Sequence, residues 1–318
     1  MTLLDVPARP PALAPGKFRD PRLTARGEPR AVVEPGPLRT LWVNTGTLCN
    51  IACVNCYIES SPRNDALVYP TAAEMAPFIA EAEALGATEV GFTGGEPFLN
   101  RQLPEMLADV LGRGMRALVL TNAMKPMRHH EARLLALRAA HGARLTLRVS
   151  LDHYGAELHD LERGEGSFAP AMSGLAWLAE NGFAAHVAGR AGFGGEDEAA
   201  LRAGYARLFA EHAIPIDAAD PVALMLFPEM DASVDVPEIT TACWSILHKR
   251  PDSMMCASSR MVVKRRGDAV PVVVACTLLP HDPQFEMGGT LAEAARPVAL
   301  NHPHCAKFCV LGGASCSG

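Results

Sequence analysis

The amino-acid sequence predicts an α/β fold: a partial (β/α)6 barrel of parallel strands with a small Cys-rich C-terminal β-hairpin domain. Two observations lead to this prediction. Short apolar runs alternate with amphipathic stretches between residues 41 and 227, which is typical of parallel strands joined by right-handed helical crossovers. After residue 240 the pattern changes to one hairpin signal within a segment rich in Gly, Pro, His and Cys.

The predicted strands and helices follow one another in regular order. Apolar runs predict strands at 41–46, 88–95, 116–123, 144–152, 184–191 and 222–227. Apolar residues at helical spacing predict helices at 71–87, 103–114, 130–142, 168–182 and 196–213. Thr71 can cap the first of these helices and Gly86 can end it. Six such units are fewer than the eight that close a barrel, so the predicted barrel is open.

Three segments are predicted along the chain. Residues 1–40 contain eight prolines and seven Lys or Arg without a strand or helix period, which predicts an extended Pro-rich N-terminal arm. Residues 41–240 form the barrel. Residues 241–318 form the Cys-rich domain, with a hairpin at 260–276 that turns near Gly267–Asp268. This last segment has few large apolar residues, so we expect a bound metal to stabilise its fold.

Composition excludes several classes of protein. The chain has 318 residues, 49% of them hydrophobic, and a net charge of −6. Mild acidity argues against a general nucleic-acid binder. The best candidate for a membrane span, residues 269–280, is too short to cross a bilayer, and residues 1–40 lack an apolar signal core. We therefore expect a cytoplasmic protein with neither a nucleic-acid nor a membrane partner.

The nine cysteines fall into two groups. Three lie within eight positions, at Cys49, Cys53 and Cys56, none lies between 57 and 242, and six lie between 243 and 316. In a chain without a secretory signal, such spacing is more typical of metal ligands, catalytic groups or buried thiols than of disulfides. The sequence predicts two sulfur-rich sites joined by a cysteine-free scaffold.

The first group suits an iron–sulfur cluster with an open position. Three thiolates can bind three irons of a 4Fe–4S cluster and leave the fourth without a protein ligand. A structural zinc site would need a fourth ligand, and the sequence nearby offers no His or further Cys. Three other short motifs also end strands, where parallel α/β folds carry their chemistry: "GGEP" (94–97), "TNA" (121–123) and "SLD" (150–152).

The CX3CX2C motif after a first strand, followed by GGEP after the second, resembles the radical S-adenosylmethionine (radical SAM) superfamily. The resemblance extends through the alternating elements of residues 41–227. It implies an enzyme in which S-adenosylmethionine (SAM) chelates the open iron of a 4Fe–4S cluster. Reductive cleavage of SAM then gives a 5′-deoxyadenosyl radical, which abstracts hydrogen from the substrate.

The resemblance also implies contacts to SAM. Gly94, Gly95 and Glu96 match the segment that holds the methionine amino group. Asn122 matches a third-strand residue near SAM, and Ser150 matches a fourth-strand residue that binds its ribose or carboxylate.

Later strands supply further candidates. Arg190 suits the methionine carboxylate, although an ordinary surface arginine is an equal alternative. Leu226 can pack on adenine or belong to the core. The family usually has an aromatic residue before the third cysteine, where this chain has Asn55; we expect Tyr57 to take over its packing.

The C-terminal cysteines resemble the auxiliary-cluster extensions called Twitch and SPASM domains. Two cysteines flank the hairpin and three lie in the terminal loop: Cys256, Cys276, Cys305, Cys309 and Cys316. The spacings depart from the SPASM pattern, so the resemblance implies one auxiliary 4Fe–4S cluster, with Cys243 as the spare thiol. A zinc knuckle that includes His302 or His304, and a disulfide, remain alternatives.

The resemblance leaves the substrate open. Asp152, His153 and Glu229 lie at strand ends and are candidates for an acid or base, with ordinary rim residues as the alternative. A flavodoxin- or ferredoxin-type reductant is implied, and the substrate is a small molecule or a peptide. The arm is too short for a leader-binding domain, which favours a small molecule or a partner-delivered peptide. The alternative function is a non-catalytic zinc or Fe–S protein with structural cysteine sites.

Overall fold

A computed structural model of the chain describes residues 11–313. The strands in this range are β1 Val32–Val33, β2 Thr40–Asn44, β3 Glu89–Thr93, β4 Arg116–Thr121, β5 Leu145–Ser150, β6 Ala184–Arg190, β7 Leu224–Phe227, β8 Ser259–Val263, β9 Val272–Val274, β10 Glu286–Gly288 and β11 Val298–Ala299. The α-helices are α1 Ala72–Ala84, α2 Leu103–Gly112, α3 Lys125–Arg128, α4 Glu131–His141, α5 Ala156–Arg163, α6 Phe168–Glu180, α7 Glu198–Glu211, α8 Cys243–Ile246 and α9 Met255–Ser258. A π-helix covers Cys305–Leu311.

The central sheet confirms the predicted α/β class. Its nine strands run in the order β10-β9-β8-β2-β3-β4-β5-β6-β7. The strands from β2 to β7 are parallel to their neighbours, with Thr40 opposite Glu89 and Val187 opposite Leu224 in the first and last pairs. Strand β7 does not pair back to β2, so the barrel is open.

Helix α1 begins where the sequence predicts. Thr71 Oγ1 accepts a hydrogen bond from the Glu74 amide at 3.2 Å, and Glu74 Oε2 accepts one from the Thr71 amide at 2.8 Å. This reciprocal capping box satisfies two backbone donors that a helix start would otherwise leave unpaired. Gly86 follows the helix with φ +86°, a left-handed value that glycine adopts without strain.

Helix α5 was not predicted from the sequence. Its buried face is polar, since His159 is fully buried and Glu162 is 4% exposed, whereas the apolar Leu161 on the same helix is 67% exposed. The usual apolar period of an amphipathic helix is therefore missing. This helix carries two residues of the candidate site described below.

The predicted C-terminal hairpin forms but is not a separate layer. Strand β8 pairs in parallel with β2, placing Leu41 opposite Arg260, and β9 pairs antiparallel with β8. Val262, Val273 and Val274 are each no more than 1% exposed and belong to the same hydrophobic core as the barrel. The apolar run of β8 and β9 thus gives this segment a share of the main core.

The N-terminal arm is anchored at several points. Its strand β1 pairs antiparallel with β11 near the C-terminus; two residues are too few to show a strand period in the sequence. Arg30, fully buried, donates to Glu238 at 2.5 Å, and Lys17 donates to Asp235 at 2.7 Å. The described part of the arm is therefore packed on the segment that follows β7.

Candidate functional site

The three cysteines of the first group lie on one loop between β2 and α1 and line a single cavity of about 180 Å³. The Cys49 amide donates to the Ser61 carbonyl at 3.1 Å, and Cys56 Sγ accepts from the Ser60 amide at 3.2 Å. Burial raises the pKa of Cys49 to about 12 and that of Cys53 to about 11. The nearby Arg163 guanidinium opposes this shift at Cys53 without outweighing it. These two thiols are therefore protonated at neutral pH, and binding to a metal would ionise them.

The two glycines of GGEP support the start of the cysteine loop. The Gly95 amide donates to the Gly46 carbonyl at 2.8 Å, and the Glu96 amide donates to the Leu48 carbonyl at 3.1 Å. A β-carbon on Gly95 would lie 2.2 Å from the Leu48 oxygen, and one on Gly94 would lie 2.6 Å from the Gly46 oxygen. Only glycine permits this approach of the two backbones. Both glycines also line the cavity.

Glu96 lies behind the cavity wall and is 1% exposed. Its Oε2 accepts from the Asn122 amide at 2.9 Å, while Oε1 accepts from Thr121 Oγ1 at 2.9 Å and from the Phe98 amide at 3.1 Å. Burial raises its pKa to about 7, although these three hydrogen bonds oppose the shift. Glu96 thus joins the ends of β3 and β4, and it is not among the residues that line the cavity.

Asn122 and Ser150 both line the cavity, at the ends of β4 and β5. Asn122 Nδ2 donates to Asn50 Oδ1 in the cysteine loop at 2.9 Å. Tyr57 lines the same cavity, beside the third cysteine. The structure therefore brings these three candidates together with the thiols.

Helix α5 contributes two cavity residues that sequence reasoning missed, Glu162 and Arg163. Arg163 makes two hydrogen bonds to the Asp152 carboxylate, each 2.9 Å long. Glu162 accepts from the Asn55 amide at 2.8 Å and from its side-chain Nδ2 at 3.1 Å. The only sequence signal for these two residues is the adjacent acidic and basic side chains in "LERGEG" (161–166).

Arg190 also lines the cavity, and its guanidinium makes ion pairs with two carboxylates. Its Nη1 lies 2.8 Å from Glu162 and its Nη2 lies 2.6 Å from Glu229. Glu162 thereby connects the loop of the second and third cysteines to the end of β6.

Of the three candidates for an acid or base, Asp152 lines the cavity and the other two do not. His153 Nδ1 accepts from the Gly155 amide at 2.8 Å, which leaves Nε2 as the donor to Glu196 at 2.9 Å. Nδ1 is therefore engaged within the loop after β5, and Nε2 connects that loop to the segment after β6. Glu229 is 41% exposed in its side chain and pairs with Arg190.

The aromatic residue after Leu226 takes the place expected for that leucine. Leu226 and Phe227 both pack against the core, and of the two only Phe227 lines the cavity. Successive side chains of a strand point to opposite faces, so a shift of one residue exchanges the core and cavity positions. Phe227 also stacks on Phe308, with ring centroids 5.4 Å apart.

Four cysteines of the second group lie near one another. Cys256 precedes β8, Cys276 follows β9, and Cys305 and Cys309 lie four residues apart on the π-helix. Burial raises the pKa of Cys305 well above its usual value, and the charges of the other three thiols add to that rise. Four is the number of thiolates that a 4Fe–4S cluster without an open position takes as ligands.

The second group has two further cysteines, Cys243 and Cys316. Cys243 is not among the thiols whose charges act on Cys305, and its sulfur accepts from the Thr240 amide at 3.4 Å. Cys316 lies outside the described residues. Among residues 11–313, no three His, Cys, Asp or Glu side chains converge as ligands of a single metal ion.

A buried cation lies beside the second group. Arg260 is 4% exposed, and its guanidinium donates to the carbonyl oxygens of Cys256 at 2.5 Å and Ala294 at 2.9 Å. Burial lowers the pKa of Arg260, and the charges of Cys256 and Cys276 oppose that shift. A fixed positive charge at this place offsets the negative charge of thiolate ligands.

Taken together, the fold and this site define an open α/β barrel with three thiols facing a cavity at the carboxyl ends of its strands. Residues 43–204, about half of the chain, match the sequence model of the Radical SAM superfamily. The chain therefore belongs to the radical SAM superfamily, whose members use a 4Fe–4S cluster and SAM.

Curated relatives match part of the chain. AlbA of Bacillus subtilis (strain 168), an antilisterial bacteriocin subtilosin biosynthesis protein, is 32% identical over 144 residues, or 44% of this chain and 30% of AlbA. An AdoMet-dependent heme synthase of Oleidesulfovibrio alaskensis is 32% identical over 168 residues, or 50% of this chain and 40% of that protein. The matched regions thus span well under half of these relatives.

A solved structure shares the fold. SuiB of Streptococcus suis bound to SAM superposes with a TM-score of 0.58 at 12% identity, covering 79% of this chain and 63% of SuiB. At this identity the likeness is one of fold. Within residues 11–313, no helix has the length and apolar character needed to cross a bilayer.

Proposed function

We propose that this protein is a radical SAM enzyme that acts on a peptide or small-molecule substrate. The single observation that carries the proposal is the convergence of Cys49, Cys53 and Cys56 on one cavity, together with Gly94 and Gly95. These thiols fit a 4Fe–4S cluster, since they are three in number, at least partly buried and line a common space. When bound, cluster and SAM supply reductive cleavage of a carbon–sulfur bond and a 5′-deoxyadenosyl radical that abstracts hydrogen.

The chain's own residues hold and shield this chemistry. Asn122 and Ser150 present hydrogen-bonding groups at the cavity, suited to the polar parts of SAM. Arg190 offers its guanidinium to the methionine carboxylate, in competition with Glu162 and Glu229. Phe227 forms part of an apolar wall that keeps water from the reacting atoms.

A second 4Fe–4S cluster is proposed for Cys256, Cys276, Cys305 and Cys309. Two segments of this site also reach the first cavity, since Leu278 follows Cys276 and Phe308 lies between the other two cysteines. The second site is therefore placed to exchange electrons with a substrate or to position it. In the zinc-knuckle alternative, His302 or His304 joins cysteines of this set as a zinc ligand.

For the substrate we favour a peptide. SuiB, which shares the fold, has been solved with its precursor peptide SuiA, whereas the heme synthase of Oleidesulfovibrio alaskensis keeps a small molecule as the second candidate. No two of the eight cysteines within residues 11–313 form a disulfide with each other, which suits a reducing cytoplasm with a flavodoxin- or ferredoxin-type reductant.

Metal analysis and spectroscopy test this function. The anaerobically reconstituted chain is expected to bind iron and sulfide in equal amounts, and addition of SAM should change the electron paramagnetic resonance spectrum of the reduced cluster at Cys49, Cys53 and Cys56. If the chain binds zinc in place of iron, or if SAM does not change the spectrum, the alternative function of a non-catalytic metal-binding protein is favoured.

A further inference from the structure

The guanidinium of Arg260 lies in the protein interior beside the second group of cysteines. Arg260 is the second residue of β8 and is 4% exposed. Two of the proposed ligands flank the hairpin that carries it, since Cys256 precedes β8 and Cys276 follows its antiparallel partner β9. An arginine is rarely buried to this extent unless a negative charge lies nearby. Its burial therefore calls for an anionic neighbour.

Four backbone carbonyl oxygens hold this guanidinium in place. Nη1 donates to Cys256 at 2.5 Å and to Ser259 at 2.7 Å. Nε donates to Ala294 at 2.9 Å, and Nη2 donates to Arg296 at 3.2 Å. These oxygens belong to two segments, one before β8 and one before β11, so the guanidinium is fixed from two sides. A carbonyl oxygen is neutral and satisfies the N–H groups without balancing the positive charge.

The negative charges that act on Arg260 are those of sulfur. Among the described residues they belong to Cys256 and Cys276, and no carboxylate is with them. The other charged group that acts on Arg260, Arg296, is a cation. A thiol carries negative charge as the thiolate, the form in which it binds a metal. Arg260 therefore gains its counter-charge when these thiols bind a metal.

The arginines of the first site are arranged differently. Arg163 lies 2.9 Å from a carboxylate oxygen of Asp152, and Arg190 lies 2.8 Å from one of Glu162. Each of these cations is thus matched by a carboxylate, and at a distance the two charges largely cancel. The positive charge of Arg260 is not cancelled in this way and acts on the second group of thiols.

Such a charge has a defined effect on a redox centre. One-electron reduction of a 4Fe–4S cluster adds a negative charge to it. A fixed cation stabilises the reduced cluster more than the oxidised one, because their attraction grows with the charge of the cluster and is poorly screened in the protein interior. The potential of such clusters responds to the charge around them. A buried, uncancelled cation therefore raises it.

We propose that Arg260, through its charge, raises the reduction potential of the 4Fe–4S cluster at Cys256, Cys276, Cys305 and Cys309. The inference rests on the proposed function, which supplies this cluster, and adds a residue that favours its reduced state. Arg260 acts through space and is not a ligand.

Potentiometric titration followed by electron paramagnetic resonance tests the inference. The full chain with Cys49, Cys53 and Cys56 replaced by Ala is reconstituted anaerobically, so that the second cluster alone gives a signal. Arg260→Gln keeps donors for the carbonyl oxygens but removes the charge. At a fixed potential we expect its ratio of reduced to oxidised cluster to fall at least about tenfold, a shift of about 59 mV to lower potential for one electron.

Two further variants separate charge from structure. Arg260→Lys keeps the positive charge but loses most of the hydrogen bonds to the carbonyl oxygens, so its potential should stay closer to the wild-type value than that of Arg260→Gln. Arg266→Gln removes a cation of the same hairpin whose side chain is 70% exposed, and it should leave the potential unchanged. An iron content of about four in each variant shows that the cluster is intact.

Three safeguards keep the test decisive. If Arg260→Gln does not retain the cluster, Arg260→Met removes the same charge with a side chain of similar length. If the triple replacement does not bind iron, the titration uses the chain with its first group of cysteines intact, where the response to SAM identifies the signal of the first cluster. The iron content of each variant is measured before its titration.

An unchanged potential in an iron-loaded Arg260→Gln or Arg260→Met would overturn the inference and leave the proposed function standing. Equal lowering in Arg260→Lys and Arg260→Gln would also overturn it, because the effect would then come from the lost hydrogen bonds. If the wild-type chain binds no iron at the second group of cysteines, the second cluster itself is refuted and the inference falls with it.

Discussion

At the start of the cysteine loop, Gly95 sets a strict steric requirement. Gly95→Ala would place a methyl group 2.2 Å from the Leu48 carbonyl oxygen, so two hydrogen-bonded backbones must separate. We expect a loss of about 1–3 kcal/mol in the free energy of unfolding and a large loss of bound iron. Denaturant unfolding and iron analysis measure both. Gly112→Ala is the matched control, because nothing lies within 4 Å of its added methyl group.

A second prediction at the residue scale concerns Glu96, whose pKa is raised by burial from 4.5 to about 7. Between these two values the folded chain binds more protons than the unfolded chain, so the free energy of unfolding falls as pH rises. Relative to Glu96→Gln, the wild-type protein should lose stability from pH 4.5 to 7 and change little above that. The melting temperatures of both proteins across this range provide the measurement. Parallel curves would show that Glu96 is ionised throughout.

At the scale of elements, helix α5 ties the cysteine loop to the end of β6. Glu162→Ala removes an acceptor for both hydrogen bonds from Asn55 and leaves Arg190 with one carboxylate. We expect the reconstituted variant to lose iron to a chelator several times faster than the wild-type protein. Glu165→Ala, an exposed glutamate two residues beyond the helix, is the control. Equal rates of iron loss from Glu162→Ala and the wild-type protein would show that α5 does not help to hold the cluster.

The same helix marks the limit of what the sequence could predict. Parallel strands, helix α1 and the cysteine motif follow from apolar periods, a cap and a spacing, all of which are local signals. Helix α5 buries the polar residues His159 and Glu162, and the burial of Glu162 is explained only by partners far along the chain, Asn55 and Arg190. The hydrogen bond between His153 and Glu196 likewise depends on how two loops pack against each other.

Strand β7 shows a second kind of limit. A run such as "VALMLF" (222–227) predicts a strand but does not fix which of two neighbouring side chains faces the cavity. In the structure Phe227 lines the cavity and Leu226 does not. Register is set by pairing with β6, which a single sequence does not display.

At the scale of the whole molecule, the C-terminal segment completes both the sheet and the second sulfur site. With two 4Fe–4S clusters, the reconstituted chain should hold about eight irons. Cys276→Ala should lower this number to about four and abolish turnover of the substrate, while SAM cleavage persists. Cys243→Ala, at the remaining described thiol of the second group, should retain the wild-type iron content. Unchanged iron in Cys276→Ala would show a buried thiol in place of a ligand.

Reductive cleavage of SAM by the full chain tests the central claim most directly. The reconstituted, reduced protein is incubated with SAM, and 5′-deoxyadenosine is quantified for the wild type and for Cys53→Ala. Because Cys53 is one of three ligands of the proposed cluster and the barrel core does not depend on it, we expect product from the wild type and none from the folded variant. Product formed by Cys53→Ala at the wild-type rate, or no product from an iron-loaded wild type, would contradict the account.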